Sequence, residues 1–251
     1  MKRRCSRSRN DRAAVEGAEA LAHSVLHELL GQSPSSKLTQ NWPLTRVDAV
    51  ATVDSGLTLG KDVSGFKSVT RPYLRVANVQ DGHLNLETVK TVSVRESEVE
   101  KYELKPGDVL MTEGGDFDKL GRGALWEGQI PGCLHQNHVF RVRANQARLD
   151  PRYFACVVES NIAKAYFNRV AKRTTNLAST NKTQVRAFRF PLPTLPEQQQ
   201  IAEVVAAAKA KIQALRAKQH ALQTLKTALL QDRHTCMMRV GDLRAEPLDA
   251  G

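Results

Sequence analysis

The sequence predicts an α+β protein, a strand-rich domain followed by one long helix with a coiled-coil seam. Two observations carry this. First, residues 42–190 break into short alternating runs separated by turn residues, which is the pattern of strands. Second, Phe190-Pro-Leu-Pro-Thr-Leu-Pro-Glu-Gln-Gln-Gln-Ile201 is a proline-punctuated strip that stops at Pro196 and opens into an apolar-periodic segment. Ile201, Ala208, Leu215, Leu222 and Leu229 recur at every seventh position, the spacing of a coiled-coil seam. Val204, Val205, Ile212 and Leu225 widen the stripe. Glu197 is read as opening the helix, with its charge at the positive end of the dipole. A run to about Gln231 gives about 35 residues, a rod of roughly 50 Å.

The other elements follow in chain order. Ala13–Leu30 is rich in Ala, Leu and Glu and is read as a short helix, with Gly31 as its cap and Pro34 beyond. Gln32–Gln40 is a linker. Tyr73-Leu-Arg-Val-Ala-Asn-Val alternates as a strand and breaks at Asp81-Gly82. Lys105-Pro-Gly-Asp is a turn feeding Val109-Leu-Met. His138-Val-Phe-Arg-Val-Arg143 alternates, with Arg141 and Arg143 on one face. Asp150-Pro-Arg-Tyr opens a helix expected to reach about Val170, and Arg186-Ala-Phe-Arg-Phe is a last strand. The resulting segments are 1–40 (basic tail and short helix), 41–190 (the strand-rich domain), 191–235 (proline-rich approach and long helix) and 236–251 (C-terminal tail).

The chain has 251 residues, 41% of them hydrophobic, enough for a core. Its net charge of +11 favours a polyanionic partner, nucleic acid before membrane. The basic run Met1–Arg12 is read as a solvated tail. Between Ser160 and Pro196, by contrast, Lys164, Arg169, Lys172, Arg173, Lys182, Arg186 and Arg189 stand without one acidic residue. Cys5, Cys133, Cys156 and Cys236 form no C-x-x-C pair, which fits reduced thiols in a cytoplasm. Neither a membrane span nor a secretory signal is read.

Glu113-Gly-Gly-Asp-Phe-Asp-Lys-Leu-Gly-Arg-Gly123 is not a P-loop, since no Gly-Lys-Ser/Thr follows. It reads as a tight loop presenting Lys119 and Arg122, functional or purely structural. Cys133-Leu-His-Gln-Asn-His138 lacks a second ligand cluster, so no metal site is assigned. Its Gln136 and Asn137 offer amides for base edges or for a turn. Lys172, Arg173, Thr174, Thr175, Asn176, Asn181 and Lys182 combine cations for phosphates with amides and hydroxyls for bases. The plain alternative is a polar loop with caps. Catalysis has little support. Glu103-Leu-Lys105 and the carboxylates Glu113, Asp116 and Asp118 would be the parts of a metal-dependent nuclease, and a scaffold that binds no DNA is a third option. Aromatic residues are only 5% of the chain, which disfavours a stacking platform for single strands.

Four segments in order resemble the specificity (S) subunits of type I restriction–modification systems: Tyr73-Leu-Arg-Val-Ala-Asn-Val-Gln-Asp-Gly82, Leu104-Lys-Pro-Gly-Asp-Val-Leu110, Gln136-Asn-His-Val-Phe-Arg-Val-Arg143 and Pro191-Leu-Pro-Thr-Leu-Pro-Glu-Gln198. The resemblance covers about Trp42 to Gln231. It implies a non-catalytic reader of double-stranded DNA with a target-recognition domain and a spacer helix. Partner methyltransferase subunits would use S-adenosylmethionine, this chain would bind no cofactor of its own, and a nuclease/translocase subunit would join. Full S subunits have two recognition domains and two antiparallel spacer helices, whereas this chain has one of each. The heptad seam therefore implies a homodimer or pairing with a second S-type chain, through Ile201, Val205, Ala208, Ile212, Leu215, Leu222, Leu225 and Leu229. The other explanation is a fragment.

Overall fold

The computed structural model describes residues 42–115, 120–173 and 178–243. The readings on residues 1–40 and on the C-terminal tail beyond Leu243 lie outside them. Among the described residues the chain divides after Val205 into two units.

In chain order the strands of the first unit are β1 (Leu44–Arg46), β2 (Ala51–Ser55), β3 (Ser68–Leu74), β4 (Lys90–Arg95), β5 (Asp108–Thr112) and β6 (Gly114–Gly115). They continue with β7 (Gly123–Leu125), β8 (Leu134–His135), β9 (Val139–Ala144), β10 (Lys172–Arg173), β11 (Ala178–Ser179) and β12 (Arg189–Pro191). The helices are α1 (Val99–Tyr102), α2 (Pro151–Glu159), α3 (Asn161–Val170), α4 (Lys182–Ala187) and α5 (Leu195–Leu243). The expected mixture of short strands ending in one long helix is therefore present.

The centre is the antiparallel sheet β2-β9-β5-β7. Successive side chains point to opposite faces of a strand, and here each face meets its own core. Val53, Val109, Met111, Phe140 and Val142 join the larger one, with α2 and α3. Leu110 and Val139 join the other, around Trp126, Leu74, Leu104 and Cys133. Arg141 lies opposite Leu110 on β5 and Arg143 opposite Asp108, so the two arginines share the Leu110 face, as the alternation predicts. The larger core is built on a run of rings: Phe154 lies 5.3 Å from Phe190, Phe190 lies 6.0 Å from Phe188, and Phe188 lies 5.4 Å from Phe167. The sheet β4-β3-β8 adds Tyr73, Val94 and Leu134 to a third, smaller core.

Five local expectations are corrected. The strand read over 186–190 begins only at Arg189, because Arg186 and Ala187 complete helix α4. The strand read over 73–79 ends at Leu74, and Val76–Asn78 form a 3-10 turn. Asn78 is the cause. Its buried side chain accepts from Arg75 N at 2.9 Å and donates to the carbonyls of Asn85 and Thr88 at 2.9 and 3.0 Å. A buried amide must be satisfied, and that outweighs the alternation.

The helix read from Asp150 to Val170 is two helices. Ser160 is extended between them (φ −74°, ψ 162°), and its hydroxyl donates to the Val157 carbonyl at 2.6 Å. Competition of this kind from serine is what breaks the run.

The long helix opens at Leu195, not Glu197, with Pro196 inside its first turn. Proline is tolerated there because its missing N–H would be unpaired anyway. Glu197 accepts from Thr194 N at 2.8 Å and from Thr194 Oγ1 at 2.7 Å. It thus closes the start of the helix, and these bonds hold its carboxyl below the usual carboxylate range. The helix also runs past Gln231 to Leu243, since no proline interrupts 231–243.

Finally, Ile201 and Val205 are buried in the larger core. They are removed from the seam open to a second helix, because burying them beneath α5 anchors its first turns to the domain. Fully buried Gln198 fixes the same turns. It accepts from Asp150 N at 2.8 Å and donates to Pro193 O at 2.9 Å and Arg148 O at 3.1 Å.

Candidate nucleic-acid interface

The two segments singled out in the sequence, the loop 113–123 and the basic run 172–182, are far apart in the chain and joined in space. β10 and β11 form a hairpin whose inner strand pairs with β6: Ala178 lies opposite Gly115 and Ser179 opposite Gly114. Gly115 is the last described residue before 116–119, and Ala178 is the first after 174–177. Both segments therefore leave one end of the same three-stranded sheet. Thr180 ties the base of the hairpin to the domain, donating its N–H at 2.7 Å and its hydroxyl at 3.0 Å to the Glu113 carbonyl.

The predicted site residues divide as follows. Lys119, Thr174, Thr175 and Asn176 lie outside the described residues, as do Asp116 and Asp118. Lys172 is exposed on β10, and Arg173 follows it on the same strand. Arg122 is half-buried and donates to Gln80 Oε1 at 2.9 Å, so part of its capacity is spent inside the domain. Asn181 is a helix cap. Its Oδ1 accepts from Gln184 N at 2.9 Å, and Gln184 Oε1 accepts from Asn181 N at 2.9 Å. This reciprocal capping box is the plain alternative allowed for this loop, and it removes the Asn181 carbonyl from base reading. Of the wider basic cluster, Lys164 is paired with Asp81 at 2.7 Å and Arg186 donates to Val53 O at 3.2 Å. Arg169 and Arg189 are exposed.

Gln136 and Asn137 are half-buried, and the Gln136 carbonyl lies against Gly56, which lines a cleft that the sequence did not announce. The cleft has a volume of about 450 Å³ and is lined by Asp54, Ser55, Gly56, Glu100, Lys101, Tyr102, Arg141 and Lys182. Lys182 is thus carried to the same place as the end of β2. Gly56 is pressed against the next segment, so that a Cβ there would stand 1.9 Å from the His135 carbonyl oxygen and 2.6 Å from that of Gln136. Only glycine fits such an approach.

The Cys133–His138 segment is structural where it is buried. Cys133 and His135 are fully buried. Burial pushes the Cys133 thiol up to about 12 and the His135 imidazole down to about 4. His135 Nδ1 lies 2.7 Å from the Val139 carbonyl. A carbonyl can only accept, so Nδ1 carries the proton. His138 bonds Glu113 instead. Among the described residues no group of three His, Cys, Asp or Glu side chains could hold a metal ion. Also among them, no helix is long and apolar enough to cross a membrane.

In the second unit, α5 presents Leu222, Leu225 and Leu229 at 42%, 56% and 59% exposure, with Leu230 beside them at 53%. Ala208, Ile212 and Leu215 of the predicted seam are half-buried.

Comparison with known proteins bears on the fold and the family. The chain is 27% identical over 173 residues to the MjaX type I restriction enzyme specificity subunit of Methanocaldococcus jannaschii, covering 67% of this chain and 40% of that protein. It is 25% identical over 186 residues to the EcoKI specificity subunit of Escherichia coli, covering 69% and 39%. The fold matches the crystal structure of the HsdS subunit from Thermoanaerobacter tengcongensis with a TM-score of 0.61 at 17% identity, over 92% of this chain and 54% of that one. The chain therefore spans about two-fifths of the curated relatives' length and about half of that solved chain. The sequence model of the type I restriction modification DNA specificity domain matches residues 39–224, and the chain belongs to that family.

Proposed function

We propose that this chain is a sequence-specific double-stranded DNA reader that performs no chemistry itself. It directs partner methyltransferase subunits, and a nuclease/translocase subunit, to a bipartite site. The observation that carries this reading is the family fold named for DNA specificity, on which the β6–β11 pairing sets the basic segment 172–182 beside the loop that bears Lys119 and Arg122. Cations at Lys172, Arg173, Lys119 and Lys182 hold phosphates, while Gln136, Asn137 and the amides and hydroxyls of 174–176 meet base edges. Any S-adenosylmethionine is bound by the methyltransferase partner. The reduced cysteines and basic surface suit a cytoplasmic complex on chromosomal DNA.

The partner of the distal helix is a second S-type chain, in the first instance another copy. What supports this is the exposed apolar seam that Leu222, Leu225 and Leu229 leave on α5. Each leucine, about half exposed, forgoes part of the roughly 1.5–3 kcal/mol that complete burial brings. An antiparallel pair has two-fold symmetry, so its two heads would read two inverted half-sites.

The test is selection of bound duplexes from a random pool at physiological salt, with the purified chain alone. Enrichment of one defined motif, present as two inverted copies at fixed spacing, is the expected result. A pool that stays random would overturn the DNA reading. A single contiguous asymmetric site would overturn the symmetric dimer.

A further inference from the structure

Two carboxylates face arginines on the same side of the central sheet, and they are used differently. Asp108 is 1% exposed, and both its oxygens are consumed. Oδ1 accepts from Arg143 Nε at 2.7 Å, and Oδ2 accepts from Arg143 Nη2 and from Lys105 N, each at 2.7 Å. That pair is internal scaffolding. Asp54 sits opposite Arg141 on the neighbouring strands β2 and β9. Among the described residues only its Oδ2 is engaged, by Arg141 Nη2 at 3.1 Å, and its side chain is 44% exposed. Oδ1 has no hydrogen-bond donor among the described residues, and Asp54 lines the cleft.

Arg141 is a fixed support. Its side chain is only 8% exposed. Its Nη1 donates to the carbonyls of Lys101 and Glu103 at 3.2 and 3.0 Å, at the end of α1. A guanidinium anchored to two backbone carbonyls presents Nη2 in one direction, and so holds Asp54 in one rotamer. The remaining walls of the cleft carry Lys101, Lys182 and a second, exposed carboxylate, Glu100.

A carboxylate facing DNA repels phosphates, so it weakens non-specific binding. What it offers in exchange is a hydrogen-bond acceptor. In the major groove only cytosine N4 and adenine N6 present amino donors. We propose that this cleft receives a base edge bearing an exocyclic amino group, with Asp54 Oδ1 as the acceptor, Arg141 as its positioning residue, and Lys101 and Lys182 holding the flanking phosphates. The inference rests on the reading of the chain as a duplex DNA binder and adds one named specificity contact to it. Sequence inspection missed Asp54 because nothing in Ala51-Thr-Val-Asp-Ser55 separates it from an ordinary strand residue. The strand pairing and the burial of Arg141 make the difference.

The experiment uses the full chain and a duplex recovered by selection. Each adenine in the site is replaced in turn by purine, and each cytosine by 2-pyrimidinone, so that only the amino group is lost. Binding is read by fluorescence anisotropy. For the unaltered protein, one position in the half-site should lose roughly tenfold in affinity. In Asp54→Ala that position should become indifferent, while affinity for unrelated duplex stays equal or rises. Asp54→Asn, which keeps a neighbour for Arg141, covers the case in which the alanine variant does not fold. Its amide N–H should move the preference at that position toward a keto base. Indifference at every position in the unaltered protein, or an unchanged profile in the variants, overturns the inference while leaving the DNA reading intact. Equal binding to selected and random duplex would remove both.

Discussion

At the residue scale, three positions separate structural from recognition roles. Asn181 is read from sequence as a DNA contact and found as a cap. Asn181→Ala should cost about 1 kcal/mol, the usual loss for a helix cap, seen as a lower urea midpoint. A variant as stable as the parent would return Asn181 to the candidate base contacts. Gly56 admits no side chain because the His135 carbonyl lies where a Cβ would be. Gly56→Ala should cost ~3 kcal/mol through overpacking, measured by the same unfolding curve, and an unchanged midpoint would refute the close approach.

His135 gives a pH signature. Its folded value is pushed by burial to about 4, below the ordinary 6.5. Between those values the unfolded chain binds a proton that the folded chain does not, so stability falls as pH drops from 6.5 toward 4. Above 6.5 the group contributes no slope. Comparison of urea midpoints at pH 7 and pH 5 should show a smaller drop in His135→Gln than in the parent. Equal drops would mean that His135 is protonated while folded.

At the element scale, much was legible in the sequence, and what was missed has a common cause. The alternation of Val139–Arg143 and the turn at Pro106-Gly107 come through because each is decided by a local rule, the period of a strand and the backbone of a glycine at φ +95°. The strand over 73–79 and the single helix over 150–170 fail because one polar side chain, Asn78 or Ser160, found partners that spacing does not reveal. The same holds for the site. Lys172 and Lys182 could be named from composition. The β6–β11 register that joins their segment to 113–123, and the Asp54–Arg141 pair, needed the pairing of strands distant in sequence. Lys172→Ala should weaken binding to every duplex alike and lower the salt slope by about one unit, as the loss of a single phosphate contact does. A titration series from low to high salt with an unchanged slope would remove β10 from the interface.

At the scale of the whole molecule, α5 belongs to both units. Ile201 and Val205 are committed to the domain core, while Leu222, Leu225 and Leu229 are exposed on the distal unit. The heptad repeat does not distinguish these uses, because an apolar position at helical spacing serves a core and a seam equally. The paired assembly should therefore depend on the distal leucines alone. Leu222→Asp with Leu229→Asp should halve the mass found by sedimentation without changing the unfolding midpoint of the domain. A sedimentation profile identical to the parent's would contradict the seam.

The central claim, that this chain reads DNA sequence, is tested most directly by titrating one selected duplex and a scrambled duplex of the same composition at rising salt. Affinity for both should fall as salt rises from about 50 to about 200 mM, because phosphate contacts release counterions. The ratio between them should stay near a thousandfold or higher, the usual margin of specific over non-specific binding. Equal affinity for the two duplexes at every salt concentration would contradict the account.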